Sequence, residues 1–146
     1  PFEPTQSNPP QYYFLYISIP SSNRIIPLND NAIMALNILK EEPERVEALH
    51  EIAEYMRQGL KAKGLKIKDS KTPIIPIFTY TPIRTMVACN KLFEAGVYVN
   101  PVVPPATPVG ECLIRTSYTA THTKELMDEA IEKIANVLKD LEHFEA

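Results

Sequence analysis

One arginine inside a β-prone run is the residue of this sequence best suited to recognition chemistry. Residues 102 to 123 read VVPPATPVGECLIRTSYTATHT, in which three prolines and a glycine hold a loop irregular before CLIRTSYT begins. In a strand alternate side chains face opposite sides, so Cys112, Ile114, Thr116 and Tyr118 share one face and Leu113, Arg115 and Ser117 share the other. That second face is half polar and carries a permanent cation. A guanidinium presents a planar fork of N–H donors matched to a carboxylate, and a strand holds it more firmly than a loop would. The pattern leaves two readings open: an arginine on the wet side of an antiparallel sheet, or an anchor for an acidic ligand.

Other chemistry-bearing residues form no constellation. His50, His122 and His143 lack H-x-x-x-H and any Cys/His ligand spacing, so no zinc site is expected. His50 and His143 read as solvated helix residues, and His122 as a local hydrogen-bonding residue ahead of the last helix, with a place beside a ligand as the alternative. The carboxylates of EEPERVE and DEAIEK stand at helical spacing among cations and read as solvated faces with weak i to i+4 pairs. Cys89 and Cys112 suggest neither a metal site nor a disulfide framework and read as buried free thiols in a reducing cytoplasm. No G-x-G-x-x-G or G-x-x-x-x-G-K-[ST] occurs, and four glycines leave little material for a phosphate-cradling loop.

The elements that must position Arg115 can be read from periodicity. The first eleven residues have the composition of a flexible arm, YYFLYISIP is a candidate strand or extended segment, and SSNRIIPLND reads as loop up to an N-cap at Asn29 or Asp30. AIMALNIL is a short apolar helix that ends before Pro43. Pro43 suits the first turn of a second helix, with Glu44 and Glu47 at its positive end. Val46, Leu49, Ile52, Ala53, Met56 and Leu60 then fall on one helical stripe ending near Gly64. TPIIPIFTY predicts a strand which, with Pro73 and Pro76, belongs at a sheet edge or a bulge. Thr81 and Pro82 open a helix to about Ala95, stopped by Gly96. VYVNPVV and ECLIRTSYT are two further strands, and Thr123 caps a long amphipathic helix lined by Met127, Ala130, Ile131, Ile134, Val137, Leu138 and Leu141.

From about residue 65 the order is strand, helix, strand, strand, helix. The predicted class is α+β: a small, mainly antiparallel sheet with helices packed on one face. The two earlier helices must dock on that sheet or reach towards another domain. At 146 residues the chain suits one compact domain, and 45% apolar with 23% charged residues supports a real core. A formal charge of −3 gives no basic footprint for nucleic acid or anionic membranes. No apolar run approaches the ~20 residues needed to span a bilayer. The N-terminal PFEPTQSNPPQ is unlike a signal sequence and lacks an initiator methionine, so the chain is expected to be a processed product or a piece of something longer.

The segment PPATPVGECLIRTSYTATHTKELMDEAI resembles the C-terminal segment of the α-oxoamine synthase family of pyridoxal-phosphate enzymes. A proline-containing loop, a small residue, an arginine-bearing strand and an Ala-x-His-Thr-like helix entry follow one another as in that family. SKTPIIPI, EAGVYVNPVVPP and EEPERVEALHEIAEYMRQGL extend the likeness over about residues 35 to 140, and the PPATP loop leans towards the serine palmitoyltransferase branch. Some members of that branch carry a second arginine before the loop, where this chain has Val103. YISIPSSNRIIPLND also departs from the family pattern.

The resemblance implies the C-terminal domain of a fold-type I pyridoxal-phosphate transferase, with residues 1–30 an N-terminal arm and connecting segment and 31–146 the small domain. The implied parent enzyme is a cytoplasmic homodimer that condenses an amino acid with an acyl-CoA with decarboxylation. Pyridoxal 5'-phosphate and its lysine would lie in a large domain upstream, so the chain alone should hold no cofactor and be inactive. It further implies that Arg115 binds the amino acid's carboxylate, with Thr107 and Pro105 shaping the loop that closes beside it. The competing reading is a free-standing α+β module that binds a small carboxylate or a protein partner.

Overall fold

A computed structural model of the chain describes residues 30–142. The arm and the candidate strand over 12–20, together with His143, lie outside the described residues. Within them the elements are α1 (Asp30–Glu41), α2 (Glu44–Ala62), β1 (Ile74–Tyr80), α3 (Pro82–Glu94), β2 (Asn100–Val102), β3 (Cys112–Ser117) and α4 (Lys124–Asp140). The strands form one antiparallel sheet in the order β1-β3-β2. The fold is the α+β arrangement read from the sequence.

One face of the sheet is covered by helices. Ile75 and Ile77 of β1, Ile114 of β3 and the adjoining Val99 meet Met56 and Leu60 of α2, Ala88 and Leu92 of α3, and Met127, Ile131, Ile134 and Leu138 of α4 in one core. Removing such side chains from water contributes about 1.5 to 3 kcal/mol each, which makes this cluster the main source of stability. Val46, placed on the buried stripe by periodicity, is 41% exposed, and it lies about two turns before Ala53, the first buried residue of α2. The earlier helices behave differently: α2 docks, whereas Ile33, Met34, Leu36, Ile38 and Leu39 of α1 are all exposed.

Local chemistry fixes the element ends. The Thr81 and Thr123 hydroxyls accept hydrogen bonds from the Arg84 and Leu126 amides at 3.3 and 3.4 Å, capping α3 and α4 as their sequences predict. Gly96, just past α3, has φ +83°, a conformation glycine adopts without steric cost. β1 lies at an edge, as expected for a strand holding Pro76, and its pairing with β3 is irregular between Phe78 and Tyr80. The Pro76 carbonyl accepts from the Lys68 amide and the Phe78 amide donates to the Lys66 carbonyl, both at 2.9 Å, on the side away from β3. The N–H missing at Pro76 therefore costs the β1–β3 ladder nothing. At the end of β1, Thr85 donates to the Thr81 carbonyl at 2.7 Å, which leaves Thr79 to donate to the Thr85 oxygen at 2.6 Å, tying strand to helix inside the core.

β2 is shorter than VYVNPVV suggested. It spans three residues, because chain leaving Gly96 approaches β3 only from Asn100 and turns away after Val102. The two cysteines are free: Cys112 is buried as predicted, while Cys89 is only half-buried.

Close packing of α2 on α4 depends on Gly59, where an added Cβ would overlap Ile131 Cδ1 and come within 3.2 Å of Ile131 Cγ1. Gly59→Ala should therefore lower stability by about 1 to 2 kcal/mol in urea titrations, despite the better helix propensity of alanine. Ile131→Val in the same chain should shrink that penalty, a coupling readable in a double-mutant cycle.

Candidate functional site

Arg115 emerges from the uncovered face of the sheet. Ile114 and Thr116 on either side of it are buried in the core, so alternation turns the arginine outward, where it is exposed. The register sets Pro76 of β1 and Asn100 of β2 directly across from it. The next row on that face is Phe78, Leu113 and Val102, and Ile74 pairs with Ser117. The Tyr80 ring stacks on Phe78 at 5.8 Å between centroids. Leu113 is only 8% exposed, so the face is more apolar than its sequence suggested.

The arginines of the described residues differ sharply in their partners. Arg45 pairs with Glu42. Arg57 pairs with Glu54 at 2.5 Å and donates to the Thr72 carbonyl at 3.0 Å, tying α2 to the start of β1. Arg84 donates to the Leu138 carbonyl at 3.4 Å, near the negative end of α4. Arg115 alone has no acceptor among the described residues.

The proline loop belongs to the same hairpin as Arg115, since it joins β2 to β3. It consists of two turns: the Ala106 amide donates to the Val103 carbonyl at 3.0 Å, and Glu111 to Pro108 at 3.1 Å. Pro104–Pro105 is a cis bond in the first turn, and Gly110 supplies φ +86° in the second. Pro105 is exposed at the surface. Thr107 is half-buried, and its Oγ1 is fully enclosed with no hydrogen-bond partner among the described residues. The hairpin thus carries all three predicted residues, although clefts elsewhere on the chain are lined by others.

A cleft of about 440 Å³ lies beside the core, with Met56, Val97, Val99, Met127 and Ile134 on its apolar walls and Tyr118, His122 and Lys133 among its polar groups. Several of its polar groups are held by protein partners. Thr116 Oγ1 donates to the Ile75 carbonyl at 2.8 Å, so the Tyr118 hydroxyl at 2.7 Å must donate to Thr116. His122 Nδ1 accepts from the Thr119 amide at 3.4 Å, the local role its position suggested, and burial lowers its pKa. Lys133 pairs with Glu129 at 2.6 Å. A second cleft between α2 and the segment before β1 holds Arg57 and Lys71 opposed by Glu54 and Asp69. His50 is exposed on its rim, as predicted.

The described residues do not fit pyridoxal phosphate. A Schiff-base lysine needs an enclosed setting with phosphate donors nearby, whereas Lys71 is exposed, Lys133 is paired with Glu129, and Lys124 lies 5.9 Å over the Tyr55 ring. Among these residues no cluster of His, Cys, Asp and Glu could hold a metal ion, and no helix is long and apolar enough to cross a membrane.

A three-stranded sheet covered on one face by helices, with Arg115 exposed on the other, defines an α+β unit among the described residues. The Aminotransferase class I and II family pattern matches residues 21–134. The chain is 38% identical over 112 residues to a serine palmitoyltransferase of Bacteroides ovatus, covering 77% of this chain and 28% of that protein. It is 35% identical over 109 residues to an 8-amino-7-oxononanoate synthase of Symbiobacterium thermophilum, covering 75% and 28% respectively. A solved serine palmitoyltransferase carrying pyridoxal phosphate as an internal aldimine superposes with a TM-score of 0.70 at 26% identity, again over 75% of this chain and 28% of that one. The chain belongs to the aminotransferase class I and II family, in its α-oxoamine synthase branch. It spans about 28% of the length of these relatives.

Sequence reasoning missed Asn100 and Pro76 as neighbours of Arg115. Their types were visible, but cross-strand neighbours follow from register, which a single sequence does not give.

The cleft's half-buried Tyr118 provides a test of its environment. Burial raises the Tyr118 pKa to about 12 from its ordinary 10. Between these values the unfolded chain releases the proton while the folded chain keeps it, so stability falls as pH rises from about 10 to 12. Tyr118→Phe should flatten that part of the alkaline denaturation profile, and should cost about 0.5 to 1.5 kcal/mol at neutral pH through the lost bond to Thr116.

Proposed function

We propose that residues 31–146 are the small C-terminal domain of a pyridoxal-phosphate-dependent acyltransferase, which condenses an amino acid with an acyl-CoA and releases CO2. In this reading Arg115 binds the α-carboxylate of the amino acid. The observation that carries it is the partnerless guanidinium on the open sheet face, on the hairpin that also bears the PPATP loop. The lengths and names of the relatives support the same reading, as does the solved structure with its internal aldimine.

The cofactor belongs to other polypeptide of the enzyme, and the part played by this chain is recognition and orientation. Two parallel N–H to oxygen bonds from a strand-held guanidinium fix both the position and the plane of a carboxylate. Fixing that group sets the direction of the Cα–carboxylate bond relative to the reacting centre, a positioning effect that lowers the barrier. Thr107 and Pro105, on the loop of the same hairpin, shape the mouth beside it. The enzyme works in the cytoplasm as a homodimer, and the chain by itself is inactive.

The test is to measure amino-acid binding and CoA release by the full-length enzyme with a panel of amino acids and acyl-CoAs. Arg115→Ala should weaken amino-acid binding by about 1.5 to 3 kcal/mol, the worth of hydrogen bonds to a charged group. Arg115→Lys should recover only part of it, because the point charge lacks the fork. Unchanged amino-acid affinity in Arg115→Ala would refute the carboxylate role.

A further inference from the structure

We propose that Asn100 is a second member of the carboxylate site: a neutral amide that helps hold the ligand's acid group while leaving the Arg115 cation uncompensated. The inference rests on the reading of Arg115 given above. Asn100 stands directly opposite Arg115 in the β2–β3 register. Side chains so paired emerge on the same face with Cβ atoms about 5 Å apart, a gap that one carboxylate bridges easily. The opposite neighbour, Pro76, offers no side-chain hydrogen bond. Of the two cross-strand neighbours, only Asn100 can bond to what Arg115 holds.

Its hydrogen bonding is half used. Asn100 Nδ2 donates to Tyr98 Oη at 3.4 Å, and no hydrogen bond reaches its Oδ1 among the described residues. A carboxamide has two N–H donors, so the second remains for a ligand oxygen. Charge gives the residue type its meaning. Five other cations of the described residues are paired with acids: Arg45 with Glu42, Arg57 with Glu54, Lys61 with Asp69, Lys63 with Glu132 and Lys133 with Glu129. An aspartate at position 100 would have the same shape and would close such a pair across the strands. Asparagine keeps the hydrogen bond without committing the guanidinium.

The experiment is calorimetric titration of the full-length enzyme with L-serine and L-alanine, and with serinamide and alaninamide, which lack the acid group. Wild type, Asn100→Ala, Asn100→Asp and Arg115→Ala are compared, each with its thermal melting curve. Wild type should prefer the acids. Asn100→Ala should weaken acid binding about 2- to 10-fold and leave the amides unaffected, the loss of one modest hydrogen bond. Asn100→Asp, although nearly isosteric, should weaken it further, about 10- to 100-fold, with no fall in melting temperature. A role in folding alone predicts the reverse order, with aspartate the milder change. Acid binding by Asn100→Asp equal to wild type, an equal loss for acids and amides, or loss of the melting transition in both Asn100 variants would overturn the assignment of Asn100. If Arg115→Ala still loses the acid preference in that event, the reading of Arg115 stands alone. Wild type binding acids and amides alike would instead remove the Arg115 reading, and the site of Asn100 with it.

Discussion

The parity of β3 is the constraint on which the rest depends. β3 is the central strand, hydrogen-bonded on both edges, and Ile114 and Thr116 reach the core from it. A slip of one residue would exchange its faces, bringing Ile114 out and a guanidinium in. Exposing Ile114 alone would cost about 1.5 to 3 kcal/mol, and the Thr116 bond to Ile75 would go with it. The same packing that buries the isoleucine therefore fixes the cation on the open face. Its placement needs no contact of its own.

What that cation can do depends on its surroundings. Exposed to water, a guanidinium gains little from an ion pair, because solvent screens it and the long side chain loses freedom. Around Arg115, however, the open face is largely apolar, with Leu113, Phe78, Val102 and Ile74 in adjoining rows. Whatever covers those residues also excludes water from the arginine and strengthens each hydrogen bond it makes. Exposed apolar side chains along α1 add a second surface of this kind. In the proposed reading the rest of the enzyme supplies that cover, so recognition and assembly draw on one face.

Elements governed by local rules were legible in the sequence. α2, α3 and α4 follow from their apolar stripes and from the Thr-Pro, Thr-Lys and glycine signals at their ends. β1 carried its edge position in Pro76, with Pro73 just before it. What stayed hidden is non-local. The extent of β2 depends on where its chain meets β3, so VYVNPVV looked longer than the three residues that pair. Leu113 is buried, with Phe78 and Val102 across from it, and only the register sets Asn100 opposite Arg115. Arg115 itself was found by type and alternation. The sequence could not say that it would be the one arginine of the described residues left without an acceptor.

That missing acceptor has a counterpart in the loop. Three buried polar atoms have no partner among the described residues: Arg57 Nε, Arg84 Nε and Thr107 Oγ1. Both arginines make other hydrogen bonds through their guanidinium groups. Thr107 has none, and a buried hydroxyl left so costs about 1 to 3 kcal/mol. A loop stiffened by prolines could have avoided this with valine, which has nearly the same shape and no polar group to satisfy. That unsatisfied hydroxyl sits on the hairpin that also holds an uncommitted guanidinium and a half-used carboxamide. In the proposed reading the β2–β3 hairpin is the functional unit of the chain, and the helices behind it are its mount.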